Sequence, residues 1–225
     1  MFSSNAFHKL KSKRIYSIEG NIGAGKTTIL NIIGKHFDDV YFVEEPVTKW
    51  QNVGGMNLLE MFYADPDRWG FSFEFYVMLT KLQCLSKAAE SDKPIIILER
   101  SLFSNKIFME ISATLQKLDD MEYHMLKTIV EFFINNVYPL LSGVIYLDTP
   151  VDVCMKRIAK RNRGEESAVS KDYLLMLKEK FDQMSQELNT PVLVIDGTFD
   201  LERDSYNISL DMSCFMHPEI SLWIV

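Results

Sequence analysis

The sequence is short of cysteine, histidine and positive charge, and each shortage closes off a class of function. Cys84, Cys154 and Cys214 are far apart, odd in number and contain no C-x-x-C pair. That spacing excludes a disulfide framework and a thiolate zinc site and fits reduced intracellular thiols. His8, His36, His124 and His217 are too dispersed to build a metal cluster. No apolar run reaches the roughly 18 residues of a membrane span. The basic N-terminus, Met1 to Arg14, lacks the apolar core of a signal peptide and is short for a transit peptide, so residues 1–13 read as a frayed tail of a cytoplasmic protein, with nuclear or mitochondrial routing left open. With 24 Lys and Arg against 31 Asp and Glu, the formal charge is -7, which argues against nucleic acid or an anionic membrane as partner. Any polyanionic ligand must be held by a local cluster.

What is present suits a soluble globular chain. Across 225 residues, 47% are hydrophobic and 24% charged, ample for a buried core. There is no repeat, low-complexity segment or Pro/Gly/Ser linker, so the whole chain, 1–225, reads as one domain. Short β-branched runs (Ile15 to Ile18, Val40 to Val43, Pro94 to Leu98, Gly143 to Leu147, Pro191 to Ile195) alternate with helical patterns. The helices are expected at Thr27 to Phe37, Met56 to Tyr63, Asp67 to Ser91, Ser101 to Leu115, Glu122 to Leu141, Pro150 to Lys160 and Lys171 to Leu188. This alternation implies an α/β fold with a five-stranded parallel sheet flanked by helices, the strands buried on both faces. In such sheets ligands sit beyond the carboxyl ends of the strands. The polar residues that follow each strand are therefore the candidates for function.

After the first strand, Gly20-Asn21-Ile22-Gly23-Ala24-Gly25-Lys26-Thr27 satisfies G-x-x-x-x-G-K-[ST] and leads through Thr28 into a helix. A Gly-rich turn can be structural only, but strand and helix on either side are the context of a phosphate-binding P-loop. Its N–H groups would cradle phosphates, Lys26 would reach the β- and γ-phosphates and Thr27 would ligate Mg2+. A second basic cluster comes from Lys156, Arg157, Lys160, Arg161 and Arg163, which run into Gly164-Glu165-Glu166. Arg157 and Arg161 share one helix face and could both fork onto phosphate oxygens. Beside a P-loop, residues 160–168 read as an Arg-rich lid that closes over ATP and excludes water, rather than as a solvated basic face.

At this point the sequence resembles the deoxynucleoside kinase family over most of its length, from Ile15 to about Ile195. The resemblance rests on G-N-I-G-A-G-K-T-T, Glu45-Pro46-Val47-Thr48-Lys49-Trp50, Tyr63 through Phe73-Glu74, Glu99-Arg100-Ser101 and the lid R-x-x-x-R-x-R-x-E-E. It implies ATP as phosphoryl donor and the 5'-hydroxyl of a deoxyribonucleoside as acceptor, for nucleotide salvage. Glu45 would be the general base and Arg100 would bind the 5'-oxygen and the migrating phosphoryl group. Glu99 with Thr27 would hold Mg2+, while Tyr63 and Glu166 would hold the 3'-hydroxyl. Trp50, Phe71, Phe73 and Phe103 are candidates to wall the base pocket. Asp200 weakly matches the loop that cradles adenine. The family is typically a homodimer, and the apolar faces of Asp67 to Ser91 and Glu122 to Leu141 are candidates for that contact.

Glu74 departs from the family, which usually carries Gln there. An ionised carboxylate offers only acceptors, and guanine alone among the bases presents adjacent N1–H and N2–H donors. Lys81, seven residues on and on the same helix face, could donate to guanine O6. Deoxyguanosine is therefore the expected substrate. An internal Glu74 to Lys81 ion pair, or a protonated Glu74 that imitates Gln, would remove that preference. Asn105 does not decide between purine and pyrimidine. The rivals are a thymidylate-type nucleoside monophosphate kinase, which would carry D-R-[YF] after the third strand, and a non-catalytic P-loop nucleotide-binding protein, which would not need Glu45, Arg100 and the lid arginines together. Asp211 to Val225 lies outside the resemblance, as a last helix, an added strand or a partner-binding tail.

Overall fold

Five apolar strands can bury both faces only when helices cover the sheet from both sides. The computed structural model, which describes residues 8–218, shows that arrangement. Strands β1 (Arg14–Gly20), β2 (Val40–Val43), β3 (Ile95–Glu99), β4 (Gly143–Asp148) and β5 (Val192–Asp196) are all parallel, in the order β2-β3-β1-β4-β5. Between them run α1 (Lys26–Ile33), α2 (Val47–Trp50), α3 (Leu58–Ala64), α4 (Pro66–Ala88), α5 (Leu102–Thr114), α6 (Asp120–Asn136), α7 (Val151–Arg161) and α8 (Lys171–Glu187), with α9 (Leu201–Met216) after β5. Alternate residues of β3 enter different cores, as a period of two requires. Ile95 and Ile97 pack with Ile18, Ile29, Ile145 and Phe181, whereas Ile96 and Leu98 pack with Leu10, Ile15, Leu85 and Ala88. Burial on both faces holds for β1, β3 and β4, but the edge strands β2 and β5 are partly open, with Val194 exposed.

Local chemistry sets the helix ends, which differ from the expected bounds by a few residues. Asp65, Ser101 and Ser170 cap α4, α5 and α8 with side-chain oxygens, and Asn57 does the same for α3. Asp119 and Glu122 form a capping box, so α6 begins before Glu122, and it stops at Asn136 ahead of Pro139 rather than running to Leu141. β1 and β3 run one or two residues further than expected, so Glu19, Gly20 and Glu99 are the last residues of strands. Met1 to Phe7 of the expected tail lie outside the described residues. Residues 8–13, also expected to fray, are docked: Leu10 is buried, and Lys13 Nζ donates to the carbonyls of Ser91 and Lys93, both at 2.7 Å. The C-terminal stretch is a helix as far as Met216, and residues 219–225 lie outside the described residues.

The topology explains where the site falls. From β1 the chain leaves toward β2 at one edge, and from β3 it crosses to β4 on the other side of β1. The switch point therefore lies between β1 and β3, at their carboxyl ends, where an open α/β sheet leaves a crevice. The register sets Ile18 beside Glu99 and Gly20 beside Leu147, so the P-loop and Glu99-Arg100 emerge side by side.

Helix α9 closes the core from below the sheet through Ile208, Met212 and Met216. Met212 is 0% exposed, whereas Tyr206 on the same helix is 74% exposed. Met212→Ala is expected to cost about 2–5 kcal/mol in urea unfolding, and Tyr206→Ala less than about 0.5 kcal/mol.

Candidate active site

The P-loop is shaped by its glycines. Gly23 has φ 76 and Gly25 φ 106, values that side chains rarely tolerate, and a Cβ on Gly23 would lie 2.7 Å from the Cys154 carbonyl. Gly25 precedes α1, so the helix N-terminus points into the crevice. Asn21 is a latch for the loop: its amide donates to the Leu174 carbonyl at 2.8 Å and its oxygen accepts from Ile22 N–H at 2.8 Å. Lys26 is buried and donates to the carbonyls of Gly20 (3.2 Å) and Asn21 (2.8 Å). Burial above all, with Arg100 adding to it against Glu99, Glu45 and Glu19, pulls Lys26 down to about 7.

Beside the loop stands a chain of paired charges. Thr27 Oγ1 donates to Glu99 Oε1 at 2.6 Å, and Arg100 Nη1 donates to Glu45 Oε2 at 2.6 Å. Arg100 also donates to the Gly20 carbonyl at 3.2 Å, lies 5.2 Å from the Phe108 ring, and leaves its Nε buried without a hydrogen-bond partner. Its φ of 60 is unusual for a residue with a side chain, and its N–H is tied to the Ile18 carbonyl at 3.0 Å. Glu19 braces the turn by accepting from Ser101 N–H (2.9 Å), Ser101 Oγ (2.6 Å) and Ser104 Oγ. Burial pushes the Glu45 carboxyl up, but Arg100, Lys81 and Lys26 together outweigh it and hold Glu45 below its ordinary value. Glu45 is thus an ionised carboxylate at neutral pH.

The segment expected to form a lid begins where α7 ends. Asn162 takes a left-handed conformation (φ 52) and Gly164–Ala168 forms a short 3-10 helix. Arg157 reaches back to the P-loop, donating to the Ala24 carbonyl at 2.6 Å. Arg161 and Arg163 grip Glu166, at 2.5 and 3.4 Å. Glu165 accepts from Gln51 and Asn57, both at 2.9 Å, and fastens the lid to the region around α2 and α3.

Ile22, Gly23, Gly25, Lys26 and Thr27 of the P-loop, the Glu45–Arg100 pair with Glu99, and Arg157, Arg161, Arg163 and Glu166 line one cavity of about 820 Å3, within the usual range for a small-molecule site. Lys26, Thr27, Thr28, Arg157, Lys160, Arg161 and Arg163 lie toward the phosphate cradle; Glu45, Glu99, Arg100, Tyr63 and Glu166 also line it. The rest of the wall includes Trp50, Phe62, Phe73, Val77, Glu74, Lys81, Asn105, Phe108, Tyr173 and Phe199. Trp50 and Phe73 meet edge to face, and Phe62 stacks on Phe73 with ring centres 4.5 Å apart. Glu74 is buried, and burial, opposed only by Lys81, pushes its carboxyl up to about 8. Lys81 is drawn elsewhere: it donates to Asn105 Oδ1 at 2.9 Å and lies 3.5 Å from Glu45 Oε1.

Most residues singled out in the sequence therefore meet in one place. Three do not. Phe71 packs with Met78 and Leu102 in a separate core and stacks on Phe75, because it sits two positions from Phe73 and faces away. Phe103 is likewise absent from the cavity wall, where Phe108 stands. Asp200 is exposed at the start of α9; its neighbour Phe199 lines the cavity instead, with the Arg157 guanidinium 5.6 Å from the ring centre. Sequence reasoning missed Phe62, Phe108, Tyr173 and Phe199. Phe108 was legible, since it follows Asn105 by three residues on one helix and shares its face.

Among the described residues no group of three His, Cys, Asp or Glu could hold a metal alone. The Thr27 hydroxyl and Glu99 carboxylate are nonetheless hard oxygen donors side by side at the cradle, which fits Mg2+ shared with substrate phosphates.

A parallel sheet, a P-loop at its switch point, a basic lid and a buried carboxylate–arginine pair define a P-loop kinase. The chain belongs to the deoxynucleoside kinase family, whose sequence model matches residues 16–211. It is similar to the fowlpox virus protein named "Probable deoxycytidine kinase", 37% identical over 202 residues that cover 87% of this chain and 84% of that one. The mitochondrial thymidine kinase 2 of Homo sapiens is 32% identical over 199 residues, 86% of this chain and 74% of that one. The mitochondrial deoxyguanosine kinase of Xenopus laevis is 30% identical over 228 residues, 88% and 86% of the two chains. The kinase family implies ATP as phosphoryl donor. No described helix is long and apolar enough to cross a membrane.

Lys26 supplies a test of the cradle. With its ammonium pulled down to about 7, Lys26 is mostly neutral at pH 8, and bound phosphates would restore its charge. ATP binding at pH 8 is expected to take up close to one proton, measured calorimetrically in buffers of different ionisation enthalpy. Lys26→Met should abolish the uptake.

Proposed function

We propose that this chain transfers the γ-phosphoryl group of ATP to the 5'-hydroxyl of a deoxyribonucleoside, for nucleotide salvage, with Mg2+ held by Thr27 and Glu99. The observation that carries the reading is the Glu45–Arg100 pair, buried at 2.6 Å between the phosphate cradle and the aromatic pocket of the same cavity. Glu45 would orient the 5'-hydroxyl and accept its proton at a carboxylate oxygen as the phosphoryl group leaves ATP. Arg100 would bond the 5'-oxygen and the migrating group, and Lys26, Arg157, Arg161 and Arg163 would take the charge on the phosphate oxygens. The metal would supply neutralisation of the β- and γ-oxygens. Tyr63 and Glu166 would hold the 3'-hydroxyl, so that sugar binding and lid closure act together. Arg161 and Arg163 already hold Glu166, which gives that coupling a physical route.

The base would lie among Trp50, Phe62, Phe73 and Val77, with its edge toward Glu74 and Asn105. The expected preference for deoxyguanosine belongs to an ionised Glu74. The chain would act as a homodimer through the exposed apolar residues Phe75 on α4 and Met121, Met125 and Phe132 on α6.

A coupled assay of ADP formation tests the activity. Release is expected with ATP and any accepted deoxynucleoside, giving the 5'-monophosphate, and not with a nucleoside monophosphate as acceptor. Light scattering tests the assembly: a dimer mass is expected for the protein, and a shift to monomer for Phe132→Glu.

A further inference from the structure

Glu74 lines the cavity from the middle of α4 and is 3% exposed, yet no hydrogen bond or ion pair within the described residues engages its carboxyl. The cation best placed to pair with it, Lys81 on its own helix, is held by Asn105 Oδ1 at 2.9 Å and Glu45 Oε1 at 3.5 Å. The other titratable and charged groups around it are Tyr173 from α8, Tyr63 from α3, and Glu45 and Arg100 beyond Lys81. Burial keeps both phenols neutral, so none of these groups is a counter-ion bonded to Glu74. Asn105 Nδ2 is buried without a partner, a donor left over in a residue that lines the same cavity. Glu74 thus faces the cavity with no internal partner among the described residues, and the Asn105 Nδ2 of the same cavity is an unsatisfied donor, so a ligand that bonds both relieves a desolvation cost.

We propose that Glu74 reads the base in two protonation forms, so that the preferred nucleoside changes with pH. As the neutral acid it offers one donor and one acceptor and matches an edge that sets a donor beside an acceptor, as cytosine, adenine and thymine do and as guanine does through N1–H and O6, so this form accepts every base. As the carboxylate it offers only acceptors and matches the N1–H and N2–H of guanine, with Asn105 Nδ2 free to donate to an acceptor on the base. The proton lost between the two forms goes to solvent. The inference rests on the reading of this cavity as a deoxynucleoside site and goes beyond it, because it makes base choice a property of conditions.

Burial sets the change near pH 8, where Glu74 passes from neutral below to ionised above. The test is the ratio of kcat/KM for deoxyguanosine to that for deoxycytidine between pH 6.5 and 9, in the intact protein and in Glu74→Gln. Titrations of Glu45, Lys26 and ATP affect both nucleosides alike and cancel in the ratio. The ratio is expected to be nearly flat well below the transition and to climb by up to about tenfold per pH unit above it, as the form that accepts cytosine is lost. In Glu74→Gln it should be flat. A flat ratio in the intact protein overturns the proposal, as does the same climb in Glu74→Gln. If neither nucleoside is phosphorylated at any pH, the reading of the cavity falls and the proposal with it.

Discussion

The salt bridge between Glu45 and Arg100 joins the ends of two neighbouring strands and is the contact around which the cavity is organised. Its partners are 12% and 7% exposed, so water screens them little and each strengthens the charged form of the other. Removing one would leave the other buried and unpaired. Such pairs seldom add to stability over an apolar alternative, because desolvation offsets their attraction. Its value here is positional. It fixes a carboxylate and a guanidinium beside the P-loop before any ligand arrives, and Arg100 accepts a left-handed backbone to do so.

Around that pair the charges are shared rather than merely accumulated. Lys81 lies against Glu45, and Thr27 against Glu99. Arg161 and Arg163 grip Glu166 while Arg157 holds the P-loop. Lys26, Arg100, Arg157, Arg161 and Arg163 already have internal acceptors, so at these positions ligand binding exchanges partners instead of creating charge contacts from nothing. Lys26, whose acceptors are only backbone carbonyls, is correspondingly the cation whose burial lowers its proton affinity most visibly. The net charge of -7 hides this segregation, because acids elsewhere on the chain outnumber the basic residues of one crevice.

Much of this was legible from residue order. The P-loop announces itself because glycines at fixed spacing meet a backbone need that no other residue satisfies. Glu45, Glu99 and Arg100 were found because strand ends face the ligand in a parallel sheet. The aromatic wall was harder: Phe71 and Phe73 are two residues apart, and only the phase of α4 decides which one faces the cavity. Phe199 and Tyr173 come from elements distant in sequence and brought close by tertiary packing, which no local pattern records. The last helix was undecided because its buried Met212 and Met216 belong to a core assembled from β1, α1 and α9 together. Helical spacing alone points Lys81 toward the base; it does line the cavity, but its ammonium is bonded to Asn105 and lies 3.5 Å from Glu45 Oε1, contacts that spacing along one helix cannot show.

A double-mutant cycle on Glu45 and Arg100, read as kcat for deoxynucleoside-dependent ADP formation, tests this arrangement most directly. If the pair acts as one unit, Glu45→Gln and Arg100→Met will each be costly, and the double variant will be far less impaired than their sum, with a coupling of about 2–3 kcal/mol. Losses that add to within about 0.5 kcal/mol would show two independent residues and contradict the account.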